Sequence, residues 1–219
     1  MTIPPILFVS GIDTNIGKTF ATAFLAQRFS SEGSKVITQK MIQTGCIKES
    51  EDILEHRRLL GQSTLPEDKE GLTCPYIFSY PASPHLAAEK DGRTIELSHI
   101  DECTKGLLQK GYDSIVLEGA GGLMVPIHRD YLTLDFIADR HYPLALVTSG
   151  RLGSLNHTLM SLELCYQRGV EVLYVIYNEY PSADKLIEQD TYDYLDNYLQ
   201  SHHPHCCLLR MPALVCPPR

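Results

Sequence analysis

Gly11-Ile-Asp-Thr-Asn-Ile-Gly17-Lys18-Thr19 decides how the rest of this chain is read. It follows Ile6-Leu-Phe-Val-Ser10, an apolar run that reads as a buried strand. It leads into Lys18 to Phe29, where Phe20, Ala21, Ala23, Phe24, Leu25 and Phe29 give the apolar positions of a helix. A glycine-rich turn between a strand and a helix start is a phosphate cradle. Glycines let the backbone turn so that its N–H groups face one anion, and the helix N-terminus adds the positive end of its dipole. Lys18 is placed to reach the outer phosphates of a nucleoside triphosphate, and the Thr19 hydroxyl to ligate Mg²⁺. Asn15, Ile16, Gly17 and Phe20 belong to the same nucleotide-binding turn. Five residues separate Gly11 from Gly17, where the common P-loop pattern has four. The plainer reading, a Gly-Lys-Thr that only caps a helix, leaves the preceding strand unexplained.

Working outward, strand patterns alternate with helical ones. Lys35 to Gln39 reads as a strand, and a helix near Asp52 to Leu60 ends at Gly61. Leu65 to Pro84 contains four prolines and reads as a long irregular connection. A helix over Ser98 to Lys110 is closed by Gly111, and Asp113 to Leu117 and Leu144 to Thr148 are buried strands. A helix from Ser154 to Gln167 stops at Gly169, Val170 to Tyr177 is a strand, Lys185 to Leu199 a helix, and Cys207-Leu-Leu209 a last strand. This order predicts a single α/β P-loop domain over residues 1–219, with a mainly parallel sheet and helices on both faces. Ligands in such sheets sit at the carboxyl ends of the strands, where every motif discussed here falls.

Composition narrows the function. Among 219 residues, 43% are hydrophobic and 21% charged, ordinary for a globular chain, and the net charge of −8 lacks the basic excess of a general nucleic-acid binder. The start, Met1-Thr-Ile-Pro-Pro, has no basic leader, and no apolar run is long enough to span a membrane. Seven cysteines (Cys46, Cys74, Cys103, Cys165, Cys206, Cys207 and Cys216) are odd in number and never in Cys-x-x-Cys spacing. They read as reduced thiols of a cytoplasmic protein. The cluster His202-His203-Pro204-His205-Cys206-Cys207 is rich in soft ligands, but adjacent ligands rarely converge on one centre, so it is not assigned a metal.

A triphosphate site needs a carboxylate on its metal side. Ser114-Ile-Val-Leu-Glu118-Gly119-Ala120-Gly121-Gly122 supplies one at the end of a buried strand, with glycines that leave room for ligand. Asp52 in the run Glu49-Ser-Glu51-Asp52 is a second metal candidate; Glu51 is its rival, and the run is also an ordinary helix start. Lys40 after the second strand is either a charge for the reacting phosphate or a solvated strand-end lysine. Thr44 in Gln43-Thr-Gly45 is equally a turn residue. His85, after Pro84, is left out of catalysis.

Taken together, these motifs resemble the dethiobiotin synthetase family over nearly the whole chain. The resemblance rests on Gly11-x-Asp13-Thr14-x-x-Gly17-Lys18-Thr19 with its extra loop residue, on Lys40, and on Glu118-Gly-Ala-Gly-Gly122. It rests also on Pro81-x-Ser83-Pro84-His85, Leu152-Gly153-x-x-Asn156-His157 and Asn178. It implies ATP-dependent ring closure of 7,8-diaminononanoate with CO₂ to dethiobiotin, through a carbamate and a carbamic–phosphoric anhydride. Lys18, Lys40 and Thr14 would be catalytic; Thr19, Asp52 and Glu118 would hold Mg²⁺. Thr14, Lys40, Thr44 and Gly122 would meet the diamine, and Asn178 the base. Gly153 and Asn156 would bind the distant carboxylate of the substrate across the interface of a homodimer, although Ser154 also reads as a plain helix cap.

Three features depart from the family pattern. Asn15 stands where the family often has Glu, Asn178 is followed by Glu179, and only seven residues follow Pro212, where a loop and helix near the base are usual. The last feature predicts weak discrimination among ATP, GTP and CTP. The alternative function is a P-loop ATPase switch of the partitioning or metallochaperone type. Such proteins usually carry a second lysine where Asp13 stands here. An amidating synthetase would need an ammonia source for which 219 residues leave no room.

Overall fold

Leu7, Phe8 and Val9 are all at 0% exposure, so successive side chains on both faces of one strand are covered. Side chains alternate across a strand, and the two faces pack separate cores. Leu7, Val9, Val116, Ala145, Val147 and Ile176 pack with Ala21, Leu25 and Phe29. Phe8, Ile115, Leu117, Leu144 and Leu146 pack on the other side with Ile100, Leu107, Phe136, Ile137 and Leu162.

The computed structural model describes residues 3–182 and 184–212. In chain order the elements are β1 (Ile6–Gly11), α1 (Lys18–Ser31), β2 (Val36–Lys40), β3 (Ile42–Thr44), α2 (Glu51–Leu59), α3 (Pro66–Lys69), β4 (Tyr76–Phe78), α4 (Pro84–Lys90) and α5 (Leu97–Gln109). They continue with β5 (Ser114–Gly122), β6 (Pro126–His128), β7 (Tyr131–Leu132), α6 (Thr133–Asp139), β8 (Leu144–Ser149), α7 (Ser154–Gln167), β9 (Val172–Asn178), α8 (Lys185–His202) and β10 (Cys207–Met211). Six strands form one sheet in the order β10-β9-β8-β1-β5-β2, every neighbouring pair parallel. The expected α/β architecture is therefore present, and β1, which carries the phosphate loop, lies inside the sheet between β5 and β8.

Two sequence expectations need correction. The stretch from 65 to 84 is not irregular throughout: between its turns it holds the short helix α3, and β4 pairs parallel with β3 through Ile42–Tyr76, Gln43–Ile77 and Thr44–Phe78. Two of its four prolines open elements rather than interrupt them. Pro66 and Pro84 sit in the first turns of α3 and α4, where a missing N–H costs no helix bond. Asp68 accepts from the Leu65 N–H at 2.8 Å, and the Arg57 guanidinium holds Asp68 (2.8 Å) and the Thr38 hydroxyl (2.8 Å), tying the segment to β2. Second, β5 does not end at Leu117 but runs on through Glu118 to Gly122, where Gly122 pairs with Gly11. The elements β3, α4 and α6 and the β6–β7 hairpin carried no sequence assignment.

Candidate active site

The phosphate loop is shaped by close backbone approaches. A Cβ on Gly11 would lie 2.5 Å from Ile16 Cγ2, because the loop folds Ile16 back over β1, where that side chain is 3% exposed. Gly17 has φ 103°, a left-handed conformation, and a Cβ there would stand 2.5 Å from Asn178 Nδ2. Asn15 is also left-handed (φ 57°), which Asn tolerates better than most residues. Behind the loop, Asn178 Nδ2 donates to the Ile16 carbonyl at 2.9 Å, and its Oδ1 accepts from the Tyr180 N–H at 3.0 Å. Asn178 thus clamps the loop to the end of β9.

In front of the loop lies a cleft of about 440 Å³. Of the residues expected at the nucleotide, metal and diamine, Thr14, Asn15, Gly17, Lys18, Thr19, Phe20, Lys40, Thr44, Asp52, Glu118, Ala120 and Gly121 line it. Gly122 lines the adjoining cleft with Gly11, Ile12, Asp13, Thr14 and Met160. Ile16 points into the core, and Gly119 is held against the Phe8 ring, 2.8 Å from the place of a Cβ. Gly153 (φ 93°) opens α7, and both it and Asn156 are exposed, outside these two clefts. Residues 213–219, on which the expected base selectivity rests, lie outside the described residues.

The charges at the cleft floor form one connected cluster. Lys40 ends β2 beside Glu118 of β5, and its Nζ donates to Glu118 Oε1 at 2.7 Å and to the Gly119 carbonyl at 3.1 Å. The same ammonium is 2.7 Å from Asp52 Oδ2. Thr19 Oγ1 donates to Asp52 Oδ1 (2.9 Å) and lies 3.3 Å from Glu118 Oε1. Asp52, not Glu51, reaches the cluster: Glu51 is exposed in the first turn of α2. Burial alone would lower the pKa of Lys40 and raise that of Glu118. The opposite charges win: Glu118 and Asp52 hold Lys40 above the ordinary lysine range, while Lys40 and the His56 hydrogen bond bring Glu118 down to about 2. Lys18 is different. Burial, and then the charge of Lys40, lower it to about 8, and its Nζ curls back to the Asp13 carbonyl at 3.0 Å. Asp13 itself pairs with Arg151 at an exposed position.

Sequence reasoning missed Gln43 and His56. Gln43 Oε1 accepts from Ser50 Oγ at 2.7 Å and from the Asp52 N–H at 3.3 Å, fixing the start of α2. His56 Nε2 lies 2.9 Å from Glu118 Oε2. A signal for His56 existed, since it follows Asp52 by four residues and so shares its helix face.

A family model described as an AAA domain matches residues 6–212. The ATP-dependent dethiobiotin synthetase BioD 2 of Pasteurella multocida is 51% identical over 200 residues, 91% of this chain and 93% of that one. The BioD 2 protein of Haemophilus ducreyi is 52% identical over 206 residues, 94% of this chain and 97% of its own. This chain belongs to the dethiobiotin synthetase family. Among solved structures, a ParA family ATPase from Chlorobium tepidum superposes with a TM-score of 0.53 at 17% identity, covering 97% of the synthetase and 85% of that chain. The pNOB8 ParA bound to nonspecific DNA gives 0.54 at 14%, covering 98% and 88%. These two share the fold with the synthetase, an ATP-dependent ligase by its family. No helix among its described residues is long and apolar enough to cross a membrane.

The donor set of the synthetase suits a hard divalent cation. Thr19, Asp52 and Glu118 offer oxygen alone, the preference of Mg²⁺, and the Lys40 ammonium already lies between the two carboxylates.

Proposed function

We propose that this chain closes the ureido ring of dethiobiotin in the cytoplasm from 7,8-diaminononanoate, CO₂ and ATP, with Mg²⁺ as cofactor. One amine adds to CO₂, losing a proton, to give a carbamate. A carbamate oxygen attacks the γ-phosphorus, and ADP leaves. The second amine then attacks the carbonyl carbon of the carbamic–phosphoric anhydride and expels phosphate. Every step consists of bringing small groups together and neutralising charge, so the protein needs donors and cations rather than a nucleophile of its own.

The observation that carries this reading is the convergence of Lys40, Asp52, Glu118 and Thr19 at the mouth of a phosphate loop that also bears Lys18. The loop N–H groups from Asn15 to Thr19 and the Lys18 ammonium hold the outer phosphates. Lys40 places its charge where the γ-phosphoryl and the carbamate meet, and Thr14 and Thr44 offer hydroxyls to the carbamate and amines. Thr19, Asp52 and Glu118 hold Mg²⁺, which supplies charge neutralisation to the phosphates. Gly153 and Asn156 lie exposed at the start of α7, and in a two-fold homodimer that helix start meets the substrate carboxylate of the partner's site. The test is phosphate release with diamine, bicarbonate, Mg²⁺ and ATP each omitted in turn. Release is expected only with all four; steady hydrolysis of ATP without diamine would instead mark an ATPase switch.

A further inference from the structure

Glu118 divides its two oxygens between two sides of the site. Oε1 faces the cleft, with Lys40 Nζ at 2.7 Å and Thr19 Oγ1 at 3.3 Å; Oε2 faces away, toward His56 Nε2 at 2.9 Å. His56 is at 0% exposure, and its other ring nitrogen, Nδ1, is buried with no hydrogen-bond partner. An unpaired buried nitrogen is a standing cost, which an aliphatic side chain of similar size would avoid. Packing therefore does not account for histidine here; its hydrogen bond does. An ionised carboxylate can only accept, so Nε2 carries a proton and donates to Oε2.

We infer that His56 is a positioning residue that restricts Glu118 to a single oxygen toward the cation site and thereby sets that site's preference among divalent cations. This rests on the proposed role of Glu118 as a Mg²⁺ ligand. Mg²⁺ takes near-octahedral coordination from single carboxylate oxygens and waters, whereas Ca²⁺ accepts more ligands, including carboxylates that give both oxygens. Holding Oε2 toward His56 and away from Lys40 and Thr19 disfavours the two-oxygen mode. Helix α2 does both jobs on one face: Asp52 reaches Thr19 and Lys40, and one turn later His56 reaches the back of Glu118.

The experiment measures Mn²⁺ binding by electron paramagnetic resonance to the enzyme with a non-hydrolysable ATP analogue, then displacement by Mg²⁺ and by Ca²⁺. His56→Leu should weaken Mn²⁺ about tenfold and move the Mg²⁺/Ca²⁺ preference about tenfold toward Ca²⁺, while His56→Gln, which keeps a donor, stays within about threefold of the parent. Binding of the metal-free analogue should be unchanged in both, which a loss of general structure would not leave intact. His56→Leu with parental Mn²⁺ affinity and Mg²⁺/Ca²⁺ preference would overturn the inference, even where Glu118→Gln abolishes Mn²⁺ binding. Parental enzyme with no Mn²⁺ beyond that held by the analogue itself would overturn the metal reading, and this inference with it. Should His56→Leu not fold, nitrogen-15 NMR of the unsubstituted enzyme decides: a proton on Nε2 supports the assignment, and a proton on Nδ1 alone overturns it.

Discussion

Lys40 Nζ and Glu118 Oε1 stand 2.7 Å apart on neighbouring parallel strands that pair these two residues in register, although 78 positions separate them in the chain. Their side chains are 6% and 1% exposed, so each charge depends on the other for its place in the interior.

Lys40→Ala should lower turnover about a hundredfold or more while nucleotide affinity changes by only a few fold, since the proposed place of this charge is at the reacting groups rather than on the bound triphosphate. It also takes from the buried Glu118 carboxylate its ion-pair partner, leaving it the His56 and Thr19 contacts, and breaking a buried pair this way costs up to about 3–5 kcal/mol. Steady-state kinetics, nucleotide binding and thermal unfolding measured together check this. Near-normal turnover would remove Lys40 from the reaction.

The depressed pKa of Lys18 predicts a pH limb. In the free enzyme it loses its proton near 8, and in the unfolded chain near the ordinary 10.5. The unfolded state therefore binds more protons between these values, so the charged lysine costs stability below about pH 8 and that cost fades as pH rises toward 10.5. Nucleotide affinity should move the opposite way: constant below about pH 7 and falling above about pH 8, as the ammonium proposed to grip phosphate is lost. Lys18→Arg, which keeps its charge, should abolish this fall in a titration of affinity against pH.

A cross-subunit carboxylate site predicts complementation. Lys40→Ala and Asn156→Ala enzymes, each impaired alone, should form mixed dimers in which one of the two sites escapes both changes. After exchange of subunits, activity should recover to roughly a quarter of the parent, since half the dimers are mixed and each has one intact site. No recovery, or a monomer by sedimentation with full activity, would place the carboxylate contact within one chain.

Arg57 is 3% exposed and holds Asp68, Thr38 and, through them, the segment around α3. Arg57→Leu should leave the largely buried Asp68 carboxylate without its cation, though the Leu65 N–H and Thr73 hydroxyl still donate to it, and cost about 3–5 kcal/mol. For a chain of this size that is a fall in Tm of roughly 6 to 20 °C. A change of only a degree or two by calorimetry would show that α3 stands without this anchor.

What the sequence by itself determined is whatever lies within a few consecutive residues. Gly11 to Thr19 between an apolar run and a helical pattern is enough to place a phosphate cradle at a strand end, because the spacing of glycines acts on the backbone that carries them. The βα alternation, and hence the parallel sheet, follows for the same reason. Even so, the long run of prolines hid β4 and α3, whose existence depends on pairing with β3 and on the Arg57 anchor rather than on local preference. Only the tertiary structure chose Asp52 over Glu51, turned Lys40 from a strand-end lysine into the partner of two carboxylates, and put His56 behind Glu118. It also bent Asn178 onto the Ile16 carbonyl, a contact across 162 positions. Sheet register and helix packing decide such contacts, and a side chain's pKa and hydrogen bonds answer to the neighbours that packing supplies, not to the residues beside it in the chain.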